Sequence, residues 1–295
     1  MAASHIPVLL KETIERLSLK PGSNAVDGTV GAGGHSAAIL DRTAPDGRLL
    51  GLDLDEAALD SARSALRRHV SRVMLVRENY KNVRRVLPPD FGPVQAALLD
   101  LGFSSIEIDD PRRGFSFRFD GPLDMRYDGS QELDAAAVVN TWSVDELSRI
   151  LWEYGEERLA RRIAAAIVKA RRERRITGTL HLVDVIAGAV PAAYRRGKIH
   201  FATRSFQALR IAVNDELGNL KEALPEYLDI LAPGGRLAII SFHSLEDRIV
   251  KRFFKDAADK NIAAAVTKKP LIASDEENAA NPRARSAKLR VIEKL

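Results

Sequence analysis

Cysteine is absent from the 295 residues of this chain. Its absence excludes a disulfide framework, a thiolate metal site and a cysteine nucleophile. Long apolar runs are missing too: none approaches the roughly 18 to 20 residues that a membrane span needs. No secretory leader is visible, because Ile6-Pro7-Val8-Leu9-Leu10 is broken by Lys11 and Glu12 and no basic region precedes it. A cytoplasmic location is therefore expected. Nor is there a large charge imbalance. Lys plus Arg number 45 against 40 Asp plus Glu, a net +5, and this mild excess permits a nucleic-acid partner without requiring one. What is present is ordinary for a globular protein, with 45% hydrophobic and 29% charged residues. The length sits near the upper limit for one core, so one large domain, or one domain with an insertion, is expected.

Apolar periodicity around Leu9, Thr13 and Leu17 predicts a first helix that Pro21-Gly22 ends. Short apolar runs then predict buried strands at 25–27, 48–53, 73–76 and 96–100, with helices between them from Ser36 and over 56–69. Such alternation means a parallel sheet covered on both faces. From Gly102 to about Thr203 the rhythm lapses into helical periodicity and loops. Leu159, Ile163, Ile167 and Ala170 share one helical face, and Thr179 is a candidate cap for a further helix that Pro191 ends. The α/β rhythm resumes with a helix over 206–231, the turn Pro233-Gly234-Gly235, a strand at 236–242, a helix capped by Ser244 with Asp247 three residues on, and a last strand at 288–292. Residues 274–286 read as a mobile loop. The expected fold is a doubly wound α/β domain over 1–103 and 204–295, interrupted after strand four by a mainly helical insertion over 104–203.

Chemistry is concentrated at strand ends. The run Gly28-Thr29-Val30-Gly31-Ala32-Gly33-Gly34-His35 lies between the first strand and a helix. Glycines there let the backbone approach a ligand, and the helix N-terminus favours an anionic group. A tight structural turn would look much the same, but position favours a cofactor loop. Asp53 ends strand two, where a carboxylate can accept both hydroxyls of a ribose. A dinucleotide fingerprint wants glycine where this chain has Ser36. An acid at the end of strand one, Asp27, suits S-adenosylmethionine instead, so a sulfonium cofactor is the favoured reading. Asp100-Leu101-Gly102-Phe103 follows strand four. A carboxylate and backbone carbonyls there could hold a weakly nucleophilic exocyclic amine for in-line attack, with Phe103 stacking on an extruded base. His243 is a third candidate at the same edge. The six histidines have no ligand spacing, which argues against a metal. In the insertion, Lys169, Arg171, Arg172, Arg174 and Arg175 crowd one helix end. Arg195, Arg196, Lys198, Arg204 and Arg210 follow in a stretch, 185–214, without Asp or Glu. Both runs read as RNA phosphate contacts.

Taken in order, these segments resemble the bacterial methyltransferase H family, which acts on cytosine N4 in small-subunit ribosomal RNA. The likeness covers nearly the whole chain: His5-Ile6-Pro7-Val8-Leu9-Leu10, Asp27-Gly28-Thr29 with Gly33-Gly34-His35-Ser36, Leu99-Asp100-Leu101-Gly102, Arg113-Gly114-Phe115-Ser116-Phe117 and Gly121-Pro122-Leu123-Asp124-Met125-Arg126. It continues through Tyr154-Gly155-Glu156-Glu157-Arg158, Ala202-Thr203-Arg204, Phe206-Gln207-Ala208-Leu209-Arg210, Ser241-Phe242-His243-Ser244-Leu245-Glu246-Asp247-Arg248 and Asn281-Pro282-Arg283-Ala284-Arg285-Ser286. The resemblance implies a class I, Rossmann-like methyltransferase fold and S-adenosylmethionine-dependent transfer to a decoding-centre cytidine, in an assembled or nearly assembled subunit. It carries cofactor contacts to Gly33, Gly34, His35, Asp53, Tyr80 and Asp100, which join Asp27 and Gly31. A further family contact is a Gln within Ser-Ser-Pro-Gln, where this chain reads Ser104-Ser105-Ile106-Glu107, putting Glu107 in its place. Arg283 and Arg285 join the expected RNA contacts.

Two other classes share some of these features. A nicotinamide-dependent oxidoreductase would use the glycine loop and Asp53, and Ser36 speaks against it. A catalytically silent RNA-binding module would keep the basic runs, and the intact Asp27, Gly33, Asp53 and Asp100 speak against that. The oligomeric state is left open, a homodimer included.

Overall fold

The computed structural model describes residues 7–102, 108 and 110–295. The chain divides into two compact units, 1–104 with 217–295 and the inserted 105–216. The first unit is built on a seven-stranded sheet in the order β3-β2-β1-β4-β5-β7-β6. Its strands are β1 Asn24–Asp27, β2 Leu49–Asp53, β3 Val73–Arg77, β4 Val94–Asp100, β5 Leu231–Ser241, β6 Ala263–Ala265 and β7 Lys288–Lys294. β1 to β5 pair in parallel, whereas β7 runs antiparallel to β5 and β6 antiparallel to β7. The central runs, in β1, β2, β4 and the second part of β5, are largely apolar because both faces are buried there. Val26, Leu50, Ala97, Leu99, Leu237 and Ile239 face one core with Leu220, Leu224 and Tyr227. Their alternate neighbours Ala25, Leu49, Ala96, Leu98, Ala238 and Ile240 face the other, with Leu17, Ile39 and Leu40. Each leucine so buried contributes roughly 1.5 to 3 kcal/mol.

α1 Leu10–Leu17 precedes β1, and between the strands that follow lie α2 Gly34–Arg42, α3 Glu56–Ala65 and α4 Val83–Val86. Register sets the functional edge. Asp27 pairs with Leu98 and Gly51, Asp53 with Arg77 and Asp100 with Ile240. Three carboxylates therefore end β1, β2 and β4 at the edge where strand order reverses, the binding position of doubly wound sheets. The expected strand at 236–242 is the second part of β5. Leu231 pairs with Val94 and Arg236 with Ala96, so Pro233-Gly234-Gly235 bulges out, with Gly234 at φ 77.

Within the inserted unit the described residues form helices Ala135–Thr141, Val144–Glu153, Ala160–Glu173, Thr179–Ala189, Ala192–Arg195 and Thr203–Asn214, joined by loops with one isolated bridge, Pro122 to Gly178. Ser143 and Glu146 close a reciprocal capping box. Leu147, Ile150, Ile163, Ile167, Leu182, Ile186 and Phe206 are buried. No helix among the described residues is long and apolar enough to cross a membrane.

Four expectations need correction. The insertion ends at 216 rather than 203, because Thr203–Asn214 packs on Val144–Glu153 and Ala135–Thr141. The predicted continuous helix over 206–231 is two helices, broken at Asp215, whose φ is 45. Thr179 is not a cap. Gly178 holds that position, and the Thr179 hydroxyl donates to the Phe119 carbonyl at 2.9 Å while accepting the Gly121 N–H at 3.1 Å. Residues 274–286 form a short helix, Asp275–Ala280, capped by Ser274, and a 3-10 turn, Pro282–Ser286.

Candidate active site

The loop after β1 turns on glycines whose backbone other residues disfavour: Gly31 has φ 51 and Gly33 φ 85. Gly34 opens α2, and a β-carbon there would collide with the Pro7 ring. The loop is braced from below. Asp27 is fully buried and accepts from the Ser36 hydroxyl at 2.6 Å and the Thr29 N–H at 3.1 Å. Burial pushes its carboxyl up from 3.8 to about 6 against those two bonds. The expectation that Asp27 touches the cofactor meets a fully buried carboxylate, bonded beneath the loop to Ser36 and Thr29. Ser36 supplies a bond that the glycine of a dinucleotide fingerprint could not make.

Asp53 closes the loop from the next strand. Its Oδ2 accepts the Gly31 N–H at 2.9 Å and its Oδ1 the Asp55 N–H at 3.0 Å. The side chain is partly exposed, and a carboxylate has lone pairs for further donors. Tyr80 opens a 3-10 turn after β3, partly buried against the core.

Asp100 is held by its backbone, whose N–H donates to the Thr29 hydroxyl at 2.6 Å. Oδ1 is buried without a hydrogen-bond partner among the described residues, and the side chain is 20% exposed. Burial, then the charges of Asp27 and Glu246, raise its carboxyl well above the usual range. His35 is buried beside it. Its Nε2 donates to the Val8 carbonyl at 3.0 Å and its Nδ1 stands 3.5 Å from Asp100 Oδ2. The His35 ring is thus committed to the protein, and its main-chain N–H lies in the first turn of α2.

His243 is where expectation and structure differ most. His243, not Ser244, caps the helix Ser244–Asp259: its Nδ1 accepts the Glu246 N–H at 3.4 Å. Glu246 Oε2 returns the bond by accepting the Phe242 N–H at 2.8 Å, and Oε1 stands 3.3 Å from His243 Nε2. Serine is the commoner cap, but Glu three residues after His243 completes the box. Thr29 and Glu246 are site residues that the sequence reading missed; only the spacing of Glu246 from His243 could have flagged one. Phe103 and Glu107, expected to stack on the base and to hold the cofactor, lie outside the described residues, as do His5 and Ile6.

The basic runs are not uniform. Arg171 turns inward and donates to the Val139 and Trp142 carbonyls at 2.9 and 2.6 Å. Arg210 forms a two-pronged pair with Glu216 at 2.8 and 2.9 Å. These two serve the fold, correcting their assignment to RNA. Arg172, Arg174, Arg175, Arg195, Arg196 and Lys198 are exposed, as are Arg283 and Arg285 on the turn Pro282–Ser286. Arg204 is half-buried and donates to the Glu156 carbonyl at 3.1 Å.

Comparison with known proteins bears on this geometry. A family model described as the MraW methylase family matches residues 2–295. The chain is 50% identical to the ribosomal RNA small subunit methyltransferase H of Heliobacterium mobile, over 100% of both chains. It is also 50% identical to the protein of the same name in Symbiobacterium thermophilum, over 100% of this chain and 98% of that one. A solved rRNA methylase from Streptococcus thermophilus is similar over 100% of this chain and 99% of that one, at 15% identity and a TM-score of 0.44.

Proposed function

The chain belongs to the MraW methylase family, and from that premise we propose that it transfers a methyl group from S-adenosylmethionine to N4 of a decoding-centre cytidine in small-subunit (16S) ribosomal RNA. The observation that carries the reading is Asp100, a partly exposed carboxyl at the reversal point of the sheet with one oxygen unpartnered among the described residues.

The residues fit the cofactor. The loop amides from Gly31 to His35, at the start of α2, suit its carboxylate, and Asp53 suits its ribose hydroxyls. When bound, the cofactor supplies an electrophilic methyl group on a sulfonium that departs as a neutral thioether. The chain's own work is positioning and proton handling. Cytosine N4 is a poor nucleophile because its lone pair is delocalised into the ring. Asp100 accepts one amine hydrogen and the Leu101 carbonyl another, which localises the lone pair and aligns it for displacement. The proton that N4 sheds goes first to Asp100. His243 would accept it only by giving up its cap bond, so its role is to hold the start of its helix at this edge. Carbon 5 methylation by the known RNA enzymes needs a cysteine thiolate, and this chain has no cysteine. The RNA substrate is supported by the exposed arginines and by the relatives' names, and assembled or nearly assembled subunits are the proposed form.

The test is labelled-methyl transfer to small subunits from cells lacking this protein, with nucleoside identification by mass spectrometry. N4-methylcytidine, and no covalent trapping by 5-fluorocytidine-substituted RNA, supports the reading. 5-Methylcytidine or a stable adduct overturns it.

A further inference from the structure

The inserted unit contains a cavity of about 370 Å³ whose walls include Arg158, Tyr194, His200, Phe201 and Arg204. We propose that it binds an unpaired nucleotide of the RNA strand, distinct from the methylated one, with its base on the aromatic stack and its phosphate on Arg158 and Arg204. The proposal rests on the RNA reading above and specifies where the inserted unit grips the strand.

The first argument is an aromatic ladder that ends in solvent. Phe117 and His200 stack with ring centres 4.5 Å apart and planes 16° apart, and His200 lies 4.2 Å from Phe201 at 31°. Phe206, buried in the helical core, meets the edge of Phe117 at 5.1 Å. The ladder is therefore anchored at Phe206, His200 is held between Phe117 and Phe201, and Phe201 is its outer ring, lining the cavity beside His200. The outer ring of such a stack, Phe201, offers a stacking face to an unpaired base at the cavity, whereas bases inside a duplex have no free face to give.

The second argument is that the polar wall is built before any ligand arrives. Glu157 is fully buried and accepts the Tyr194 hydroxyl on both oxygens, at 2.7 and 2.9 Å, and the Leu159 N–H at 2.8 Å. Those bonds fix the Tyr194 ring. Gly155 lets the same turn close on the next wall, since a β-carbon there would stand 2.6 Å from the Arg204 carbonyl. Glu156 follows in the left-handed region at φ 48, and its carbonyl takes one Arg204 donor. A guanidinium has five N–H donors, so Arg204, held by the Glu156 carbonyl and set against the Tyr194 hydroxyl, keeps others for a phosphate. Arg158 is exposed at the cavity, and Glu157, the carboxylate this wall is built on, is buried with its oxygens already taken by Tyr194 and Leu159.

The test uses the full chain and a fluorescein-labelled single-stranded RNA oligonucleotide. Loss of a base-stacking ring typically weakens binding about five- to a hundredfold, so Phe201→Ala should show a loss of that size by anisotropy, and Arg158→Ala with Phe201→Ala a larger one. S-adenosylmethionine affinity by calorimetry should stay within about twofold in both, which also reports that the variants fold. Phe201→Tyr keeps a ring and should retain affinity. The same RNA carrying 4-thiouridine should cross-link to residues 194–204. Wild-type affinity in the double variant, or cross-links confined to other segments, overturns the pocket. If wild type still forms N4-methylcytidine in that event, the function stands without the pocket; if the pocket binds RNA but another nucleoside is formed, the pocket stands and the N4 reading falls.

Discussion

Asp100 Oδ2 and His35 Nδ1 face each other at 3.5 Å across the cofactor loop, and the imidazole cannot turn away because its Nε2 is bonded to the Val8 carbonyl. A carboxyl whose proton affinity is raised by burial and by two neighbouring acids thus has a fixed nitrogen beside it.

Asp100→Asn keeps the shape and removes the acceptor charge. At saturating cofactor and RNA, turnover should fall by about a hundredfold, in keeping with the loss of one positioned transition-state contact. Single-turnover methyl transfer measures it. A change restricted to the Michaelis constant for the cofactor would confine Asp100 to binding.

Asp53→Ala removes the carboxylate proposed to accept the ribose hydroxyls, and one brace of Gly31. Affinity for S-adenosylmethionine should drop roughly ten- to a hundredfold, equivalent to about 1.5 to 3 kcal/mol. Calorimetry on the folded variant decides, and unchanged affinity would remove Asp53 from the cofactor site.

Asp27 gives a pH signature with a defined sign. Its folded carboxyl titrates at about 6 against 3.8 for the free group. Between those values the folded state holds a proton that the unfolded chain has released, so stability falls as pH rises through the window. Below about pH 4 the contribution is fully present, and above about pH 6 it is gone, a difference of about 3 kcal/mol. Asp27→Asn lacks this dependence, and its amide can still serve Ser36 and Thr29. Urea unfolding of both proteins from pH 4 to 7 should show wild type losing ground to the variant as pH rises. A flat or opposite difference contradicts the buried ionisation.

The arginines near the end of Ala160–Glu173 should separate into two kinds. Arg171→Ala leaves the Val139 and Trp142 carbonyls without their charged donor and should cost about 1 to 3 kcal/mol of stability. Arg172→Glu, Arg174→Glu and Arg175→Glu together should leave stability and cofactor binding alone. RNA affinity should drop and its salt slope should flatten by about 2, at about 0.7 per phosphate contact. A slope identical to wild type would make this run a solvated face.

Much of the sheet is legible in the sequence because a strand buried on both faces must be apolar along its length. Leu49-Leu50-Gly51-Leu52 and Ala96-Ala97-Leu98-Leu99 cannot easily be anything else, and the acid ending each run marks the functional edge. Ala263–Ala265 was not legible: three alanines carry no periodicity, and only pairing with β7 makes them a strand. The inward turns of Arg171 and Arg210 were hidden for a different reason. Arginines in a run look alike until the carbonyls or carboxylate that claim one of them are placed nearby. The break at Asp215 was hidden because a non-glycine residue in a left-handed conformation leaves no mark in composition.

β4 and β5, the central neighbours of the sheet, are separated in sequence by the entire inserted unit, yet Leu98 must find Ala238. Closing a loop costs entropy that rises by about 0.6 kcal/mol with each doubling of its effective length. A compact helical insert, rich in local contacts, shortens that loop before the strands meet. Substitutions that loosen the insert therefore act on a second quantity besides recognition: they slow assembly of the sheet, and lower the yield of folded enzyme, while leaving the chemistry of each finished molecule intact.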